Sequence, residues 1–141
     1  MEWSTHATAT LQAAGYRRGG ARAAVIEHLA AQRCAVTAQD IEAALSDEGR
    51  SVGRASVYRV LDLLAQHRLV QRLDMGDGTA RYEPIVPGGE HHHHLLCDRC
   101  GRVVPFDDPD LERSIDKLAT RLKFDVQEHD VLLHGACERC A

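Results

Sequence analysis

Arg54-Ala55-Ser56-Val57-Tyr58-Arg59-Val60-Leu61-Asp62-Leu63-Leu64 sets Val57, Val60, Leu61 and Leu64 at i, i+3, i+4 and i+7, the apolar stripe of a packed helix. Arg59, Asp62 and Gln66 turn the other way, with Arg54 and Tyr58 at the flanks of the stripe, so this helix has a polar face to offer. Upstream, Thr37-Ala38-Gln39-Asp40 pairs a cap residue with an acid three positions on, a helix start whose buried side is Ile41, Ala44 and Leu45 and whose end is Gly49. Two shorter helical stretches precede it, Thr5 to Ala14 and Ala21 to Gln32. Downstream, Leu69-Val70-Gln71-Arg72-Leu73 and Ala80-Arg81-Tyr82-Glu83 read as strands joined through Met75-Gly76-Asp77-Gly78-Thr79. Helix, turn, helix and hairpin is the winged-helix arrangement. Its second helix enters a DNA major groove and its hairpin, here carrying Arg72 and Arg81, approaches the backbone.

Pro84-Ile85-Val86-Pro87-Gly88-Gly89 suits neither a helix nor a central strand and reads as a hinge. The expected organisation is therefore α+β: a winged-helix domain over 1–83, a hinge over 84–90 and a small α/β domain over 91–141. In the second domain, strands at Leu95-Leu96 and Arg102–Phe106 flank a cysteine pair. Asp108-Pro109 starts a helix whose inner face is Leu111, Ile115, Leu118 and Leu122. Phe124–Leu133 is expected as a long strand that delivers His129. Some fifty residues make a poor core, so this domain calls for a metal and a second subunit, a homodimer.

Charge and cysteine usage narrow the function. Residues 1–86 carry ten arginines and no lysine against ten carboxylates, while 87–141 carry seven basic and eleven acidic side chains, which supply the whole net charge of −4. Contacts to nucleic acid then belong to arginines clustered on the N-terminal domain. No apolar run approaches the ~20 residues that span a bilayer, and Met1-Glu2-Trp3-Ser4 lacks the character of an export signal, so the expected location is cytoplasmic and away from membranes. Five cysteines leave one over in any disulfide scheme, and two C-x-x-C pairs in a reducing compartment read as metal ligands.

Cys97-Asp98-Arg99-Cys100 and Cys137-Glu138-Arg139-Cys140 each set two thiolates on a tight turn, and together they close a tetrahedron round a structural zinc ion. Arg99, Arg102 and Arg139 offset the excess negative charge. The competing reading is a pair of redox motifs. His91-His92-His93-His94, if extended, alternates between faces: His91 and His93 can meet Glu112 and His129, while His92 and His94 can meet Glu83. Either set suits zinc(II), iron(II) or manganese(II), against a solvated histidine loop or a leftover tag. His6, His28, His67 and His134 read as surface or core histidines and Cys34 as a small buried hydrophobe. No catalytic motif emerges, and a metal-dependent hydrolase lacks a general base beside the histidines.

Gly53-Arg54-Ala55-Ser56-Val57-Tyr58-Arg59-Val60-Leu61, the four histidines, Cys97-x-x-Cys100-Gly101 and Cys137-x-x-Cys140 follow one another in an order that resembles the ferric uptake regulator family of bacterial repressors. The resemblance implies a winged-helix domain hinged to a dimerisation domain, and a homodimer that binds an AT-rich palindromic operator when loaded with metal. It implies a structural zinc at Cys97, Cys100, Cys137 and Cys140. It also implies a sensory site at the hinge from Glu83, His92 and His94, and a site inside the dimerisation domain from His91, His93, Glu112 and His129. DNA contacts fall to Arg17, Arg22, Arg54, Tyr58 and Arg59. One position departs from the pattern: iron-sensing relatives take a hinge ligand from a histidine just ahead of the T-A-x-D helix, where this chain has Ala35 preceded by Cys34, so the sensory site either lacks that ligand or takes Cys34 in its place. Zinc-sensing relatives often use a cysteine where it has Glu83. A peroxide-sensing repressor of the same fold and an interaction module without sensing are the alternatives.

Overall fold

The computed structural model describes residues 2–32, 34–88 and 92–141. They form two compact units, Met1–Glu90 and His91–Ala141. No helix among the described residues is long and apolar enough to cross a membrane.

Unit 1 contains α1 (Trp3–Ala13), α2 (Gly20–Ala30), α3 (Ala38–Asp47), α4 (Arg54–Gln66), β1 (Val70–Asp74) and β2 (Ala80–Pro84). The capping box forms: Asp40 N–H donates to Thr37 Oγ1 at 3.0 Å, and Thr37 N–H donates to the Asp40 carboxylate at 3.2 Å. Gly49 ends the helical segment at φ +76°, a conformation that costs a residue without Cβ nothing. Val57, Val60, Leu61 and Leu64 are all buried, together with Leu11, Val25, Leu29, Ile41 and Leu45, in one core that also takes Trp3. The Trp3 indole N–H donates to the Leu69 carbonyl at 2.8 Å, tying the start of α1 to the start of the wing.

The wing is the antiparallel pair β1–β2, with Arg72 opposite Tyr82 and Leu73 opposite Arg81. Val36 adds a one-residue antiparallel bridge to Tyr82, made by hydrogen bonds of 2.9 and 2.8 Å. The wing's two arginines do not share a setting. Arg72 is exposed, but Arg81 is only 6% exposed and clasped by both Asp77 oxygens, at 3.1 and 2.8 Å. A guanidinium turned inward onto a carboxylate in its own turn is not offered to a phosphate, and only Arg72 fits the backbone contact expected of both.

Unit 2 contains β3 (His93–Cys97), β4 (Val103–Phe106), α5 (Pro109–Leu122) and β5 (Leu132–Gly135), with sheet order β4-β3-β5, antiparallel to β4 and parallel to β5. Asp108 caps α5, its carboxylate accepting from Asp110 N–H at 2.9 Å, and Pro109 occupies the first turn, where no donor is needed. The apolar side of α5 is only partly covered: Leu111 and Ile115 are half-buried, whereas Leu118 is exposed and Leu122 is 61% exposed.

The long strand expected over Phe124–Leu133 is not present; the strand begins only at Leu132. A strand needs a hydrogen-bonded neighbour, and β3 is already paired with β4 on one side and meets β5 only over His94–Cys97 on the other. With no ladder alongside, residues 124–131 stay irregular and Phe124 is 74% exposed.

Candidate metal sites and nucleic-acid interface

Parallel pairing of β3 with β5 places Cys97 opposite Gly135 and brings the second cysteine pair beside the first, although 37 residues separate Cys100 from Cys137. Gly101 closes the first knuckle at φ +77°, its N–H donating to the Cys97 carbonyl at 2.9 Å. Cys140 N–H closes the second onto the Cys137 carbonyl at 2.9 Å.

The four sulfurs lie within 4.8 Å of one another, and Cys100 Sγ is 3.8 Å from Cys137 Sγ. Zinc–sulfur bonds of about 2.3 Å give a regular tetrahedron an S···S edge of about 3.8 Å, so the cluster fits a structural zinc. All five cysteines are free thiols, and a disulfide would need its sulfurs at about 2.0 Å.

Backbone N–H groups of Cys137 and Cys100, 3.4 and 3.5 Å from Cys97 Sγ, pull that thiol down to about 6. Cys140, hydrogen-bonded to Cys137 and Cys100, is pushed up to about 12. Four thiolates at this spacing cannot coexist without a cation. Arg99 donates to the Cys140 carbonyl at 2.7 Å, and Arg102 pairs with Glu138 at 2.9 Å.

A second cluster joins β3, α5 and the segment before β5. Glu112 receives His93 Nε2 on one carboxylate oxygen at 2.7 Å and His129 Nε2 on the other at 2.5 Å, and the His93 hydrogen bond holds its carboxyl below the ordinary carboxylate value. His93 is fully buried, with Nδ1 accepting from Val131 N–H at 3.2 Å, so its Nε2 carries the proton shared with Glu112. A cation on Nε2 would move that proton to Nδ1 and cost the Val131 bond. The donor set nevertheless suits a borderline divalent ion. His91, expected in this set, lies outside the described residues.

The rings of His92 and His94 meet edge to face at 5.0 Å between centroids, and His94 is buried in β3. Within unit 1, Glu83 is buried on β2 and a carboxylate oxygen lies within 4.8 Å of Cys34 Sγ. The Val36–Tyr82 bridge explains this approach, because antiparallel pairing carries the residues before Val36 past those after Tyr82. Cys34 is therefore half-exposed beside a carboxylate, not a buried hydrophobe. Although 49 positions separate them, the missing histidine at Ala35 points to Cys34 as a stand-in ligand beside Glu83.

On the DNA-facing candidates, Arg59 is exposed on α4 and donates to Ser56 Oγ at 3.0 Å. Tyr58 is half-buried, its hydroxyl accepting from Gln39 Nε2 at 3.2 Å, and Arg54 Nε donates to Glu42 at 2.8 Å. Arg22 is turned onto its own chain, bonded to the Arg17 carbonyl with its guanidinium 5.5 Å from the Tyr16 ring centroid. Its Nε is buried without a hydrogen-bond partner among the described residues. Arg17, Arg18 and Arg22 line a cavity of about 240 Å³ between α1 and α2.

Residues 13–134 match the model of the ferric uptake regulator family. The ferric uptake regulation protein of Bacillus subtilis is 35% identical over 107 residues, covering 74% of this chain and 71% of that protein. The peroxide-responsive repressor PerR of Staphylococcus aureus is 31% identical over 133 residues, 94% of this chain and 87% of its own. The crystal structure of the Vibrio cholerae ferric uptake regulator superposes with a TM-score of 0.80 at 30% identity, covering 90% of this chain and 96% of that one. With the winged helix, the four-sulfur cluster and these similarities together, the chain belongs to the ferric uptake regulator family.

Proposed function

We propose that this chain is a homodimeric, metal-dependent repressor that reads an AT-rich palindromic operator through Arg54, Tyr58 and Arg59 of α4, with Arg17, and Arg22 once released from the Arg17 carbonyl, supplying N-terminal contacts to DNA. Zinc at Cys97, Cys100, Cys137 and Cys140 is structural. The corepressor is a second divalent ion, iron(II), manganese(II) or zinc(II), held by Glu83, His92 and His94. His91, His93, Glu112 and His129 form a further site. When bound, the corepressor ion supplies the charge that draws carboxylate and imidazole ligands together.

The observation that carries this reading is the division of ligands. A closed four-sulfur set exchanges its ion poorly, and the histidines and carboxylates that suit an exchangeable ion lie outside it. The closeness of Cys34 to Glu83 supports a thiolate in the place where Ala35 offers no ligand. The B. subtilis relative, named for ferric uptake regulation, supports iron(II) as the ion sensed.

Coupling of the usual size, about 1–3 kcal/mol, would raise operator affinity about 5–150-fold on loading. The test is titration of the zinc-containing protein with iron(II), manganese(II), zinc(II) and nickel(II) while operator binding is followed. His92→Ala and His94→Ala should abolish the response and leave one zinc per chain. Equal affinity with every metal and with chelator would sink the sensor and leave an interaction module.

A second reading rests on the likeness to PerR, which spans 94% of the chain. Iron(II), if held by these histidines, would let peroxide, as the oxidant, add oxygen to the ligating rings. Mass spectrometry after peroxide would then show added oxygen on His92 or His94; unchanged mass with iron bound would reject it.

A further inference from the structure

Two residues of α3 reach across to two residues of α4. Gln39 and Glu42 stand one turn apart on α3; Tyr58 and Arg54 stand one turn apart on α4. Gln39 Nε2 donates to the Tyr58 hydroxyl, and Arg54 Nε donates to Glu42 Oε2 at 2.8 Å. The ion pair is not a means of stabilising the fold. The Arg54 side chain is 59% exposed, and surface pairs of this kind are worth about 0–1 kcal/mol.

Its geometry has another consequence. A guanidinium carries five donors in a planar fork, and the carboxylate occupies the one on Nε. Among the described residues the two Nη groups have no hydrogen-bond partner, and they form the edge that matches guanine O6 and N7. The carboxylate also cancels the attraction of Arg54 for phosphate. An unrestrained arginine here would bind any duplex through its backbone; a restrained and neutralised one gains only where a base edge receives the fork.

We propose that Glu42 is a specificity-determining positioning residue, which holds Arg54 as a base reader and withholds it from non-specific phosphate contact. The proposal rests on the reading of α4 as the helix that meets DNA.

The experiment first selects preferred duplexes from a randomised pool with the manganese-loaded wild-type protein. Specific and non-specific affinities are then measured against salt for wild type, Glu42→Gln, Arg54→Ala and the double variant, with circular dichroism confirming the fold. Glu42→Gln should narrow the ratio of specific to non-specific affinity by about tenfold, the scale of one bidentate base contact. It should also steepen the non-specific salt slope by about one per protomer. The double variant should match Arg54→Ala alone. A Glu42→Gln protein identical to wild type in both measures overturns the proposal. So does an effect of equal size in the Arg54→Ala background, which would mark simple removal of a negative charge. If wild type selects no duplex, the DNA-reading role of α4 falls and the proposal with it.

Discussion

The neighbouring sulfurs of Cys137 and Cys100 push the Cys140 thiol up to about 12, whereas backbone N–H groups pull Cys97 down to about 6. Zinc takes thiolates, so loading the site must expel protons, that of Cys140 among them. Calorimetric titration of the stripped protein at pH 7 should therefore give a binding enthalpy that depends on the buffer's ionisation heat; an enthalpy independent of buffer would contradict the four-thiolate assignment. Asp77 gives a second residue-level prediction. Its hydrogen bond from Arg81 holds its carboxyl below the ordinary value of 3.8. A depressed folded value means the pair stabilises the wing fully above the ordinary carboxylate range and loses that contribution as pH falls through the lowered value. Wing amides should lose hydrogen-exchange protection in that acid window, and Asp77→Asn should show the lower protection at neutral pH with little further acid dependence.

Among the elements, α3 carries its own start signal, a capping box closed by Thr37 and Asp40. Thr37→Ala should destabilise the N-terminal unit by about 1 kcal/mol, read as a lower denaturant midpoint with unchanged slope. Helix α5 is the opposite case. Its cap is as well made, but Leu118 and Leu122 are exposed alongside Phe124, Val126, Leu95 and Leu133. Apolar side chains gathered on one small unit mark a surface for a second copy. Leu122→Glu should raise the dimer dissociation constant by tenfold or more in sedimentation equilibrium and leave zinc content unchanged; a dimer as tight as wild type would place the interface elsewhere. The helix was legible from Asp108-Pro109 and its leucine spacing. That Leu118 and Leu122 stay exposed among the described residues was not, because periodicity reports an apolar side and not what lies against it.

At the scale of the whole molecule, the two units differ in what holds them. The hydrophobic cluster built on α1 to α4 lies wholly in unit 1, whereas the buried side chains described in unit 2 are His93, His94, Leu96 and Cys97. Fifty residues with so little burial depend on metal and partner for stability. Stripping zinc with a strong chelator should unfold unit 2 and dissociate the dimer while the helical signal of unit 1 persists. Loss of both units in one transition would show that unit 1 is not independently stable. Sequence alone determined the order of helices and strands in the winged helix, the capped start of α5 and each of the two cysteine knuckles. Each is written in short-range terms: a 3.6-residue period, a cap three residues from its partner, two thiols on one turn. Only the tertiary structure decided that Glu112 gives one carboxylate oxygen to His93 and the other to His129, that Arg81 faces inward and that Glu42 holds Arg54. It also withheld the strand expected over Phe124–Leu133. These depend on which distant segments become neighbours and on whether a strand edge has a partner to bond, and no local pattern encodes either.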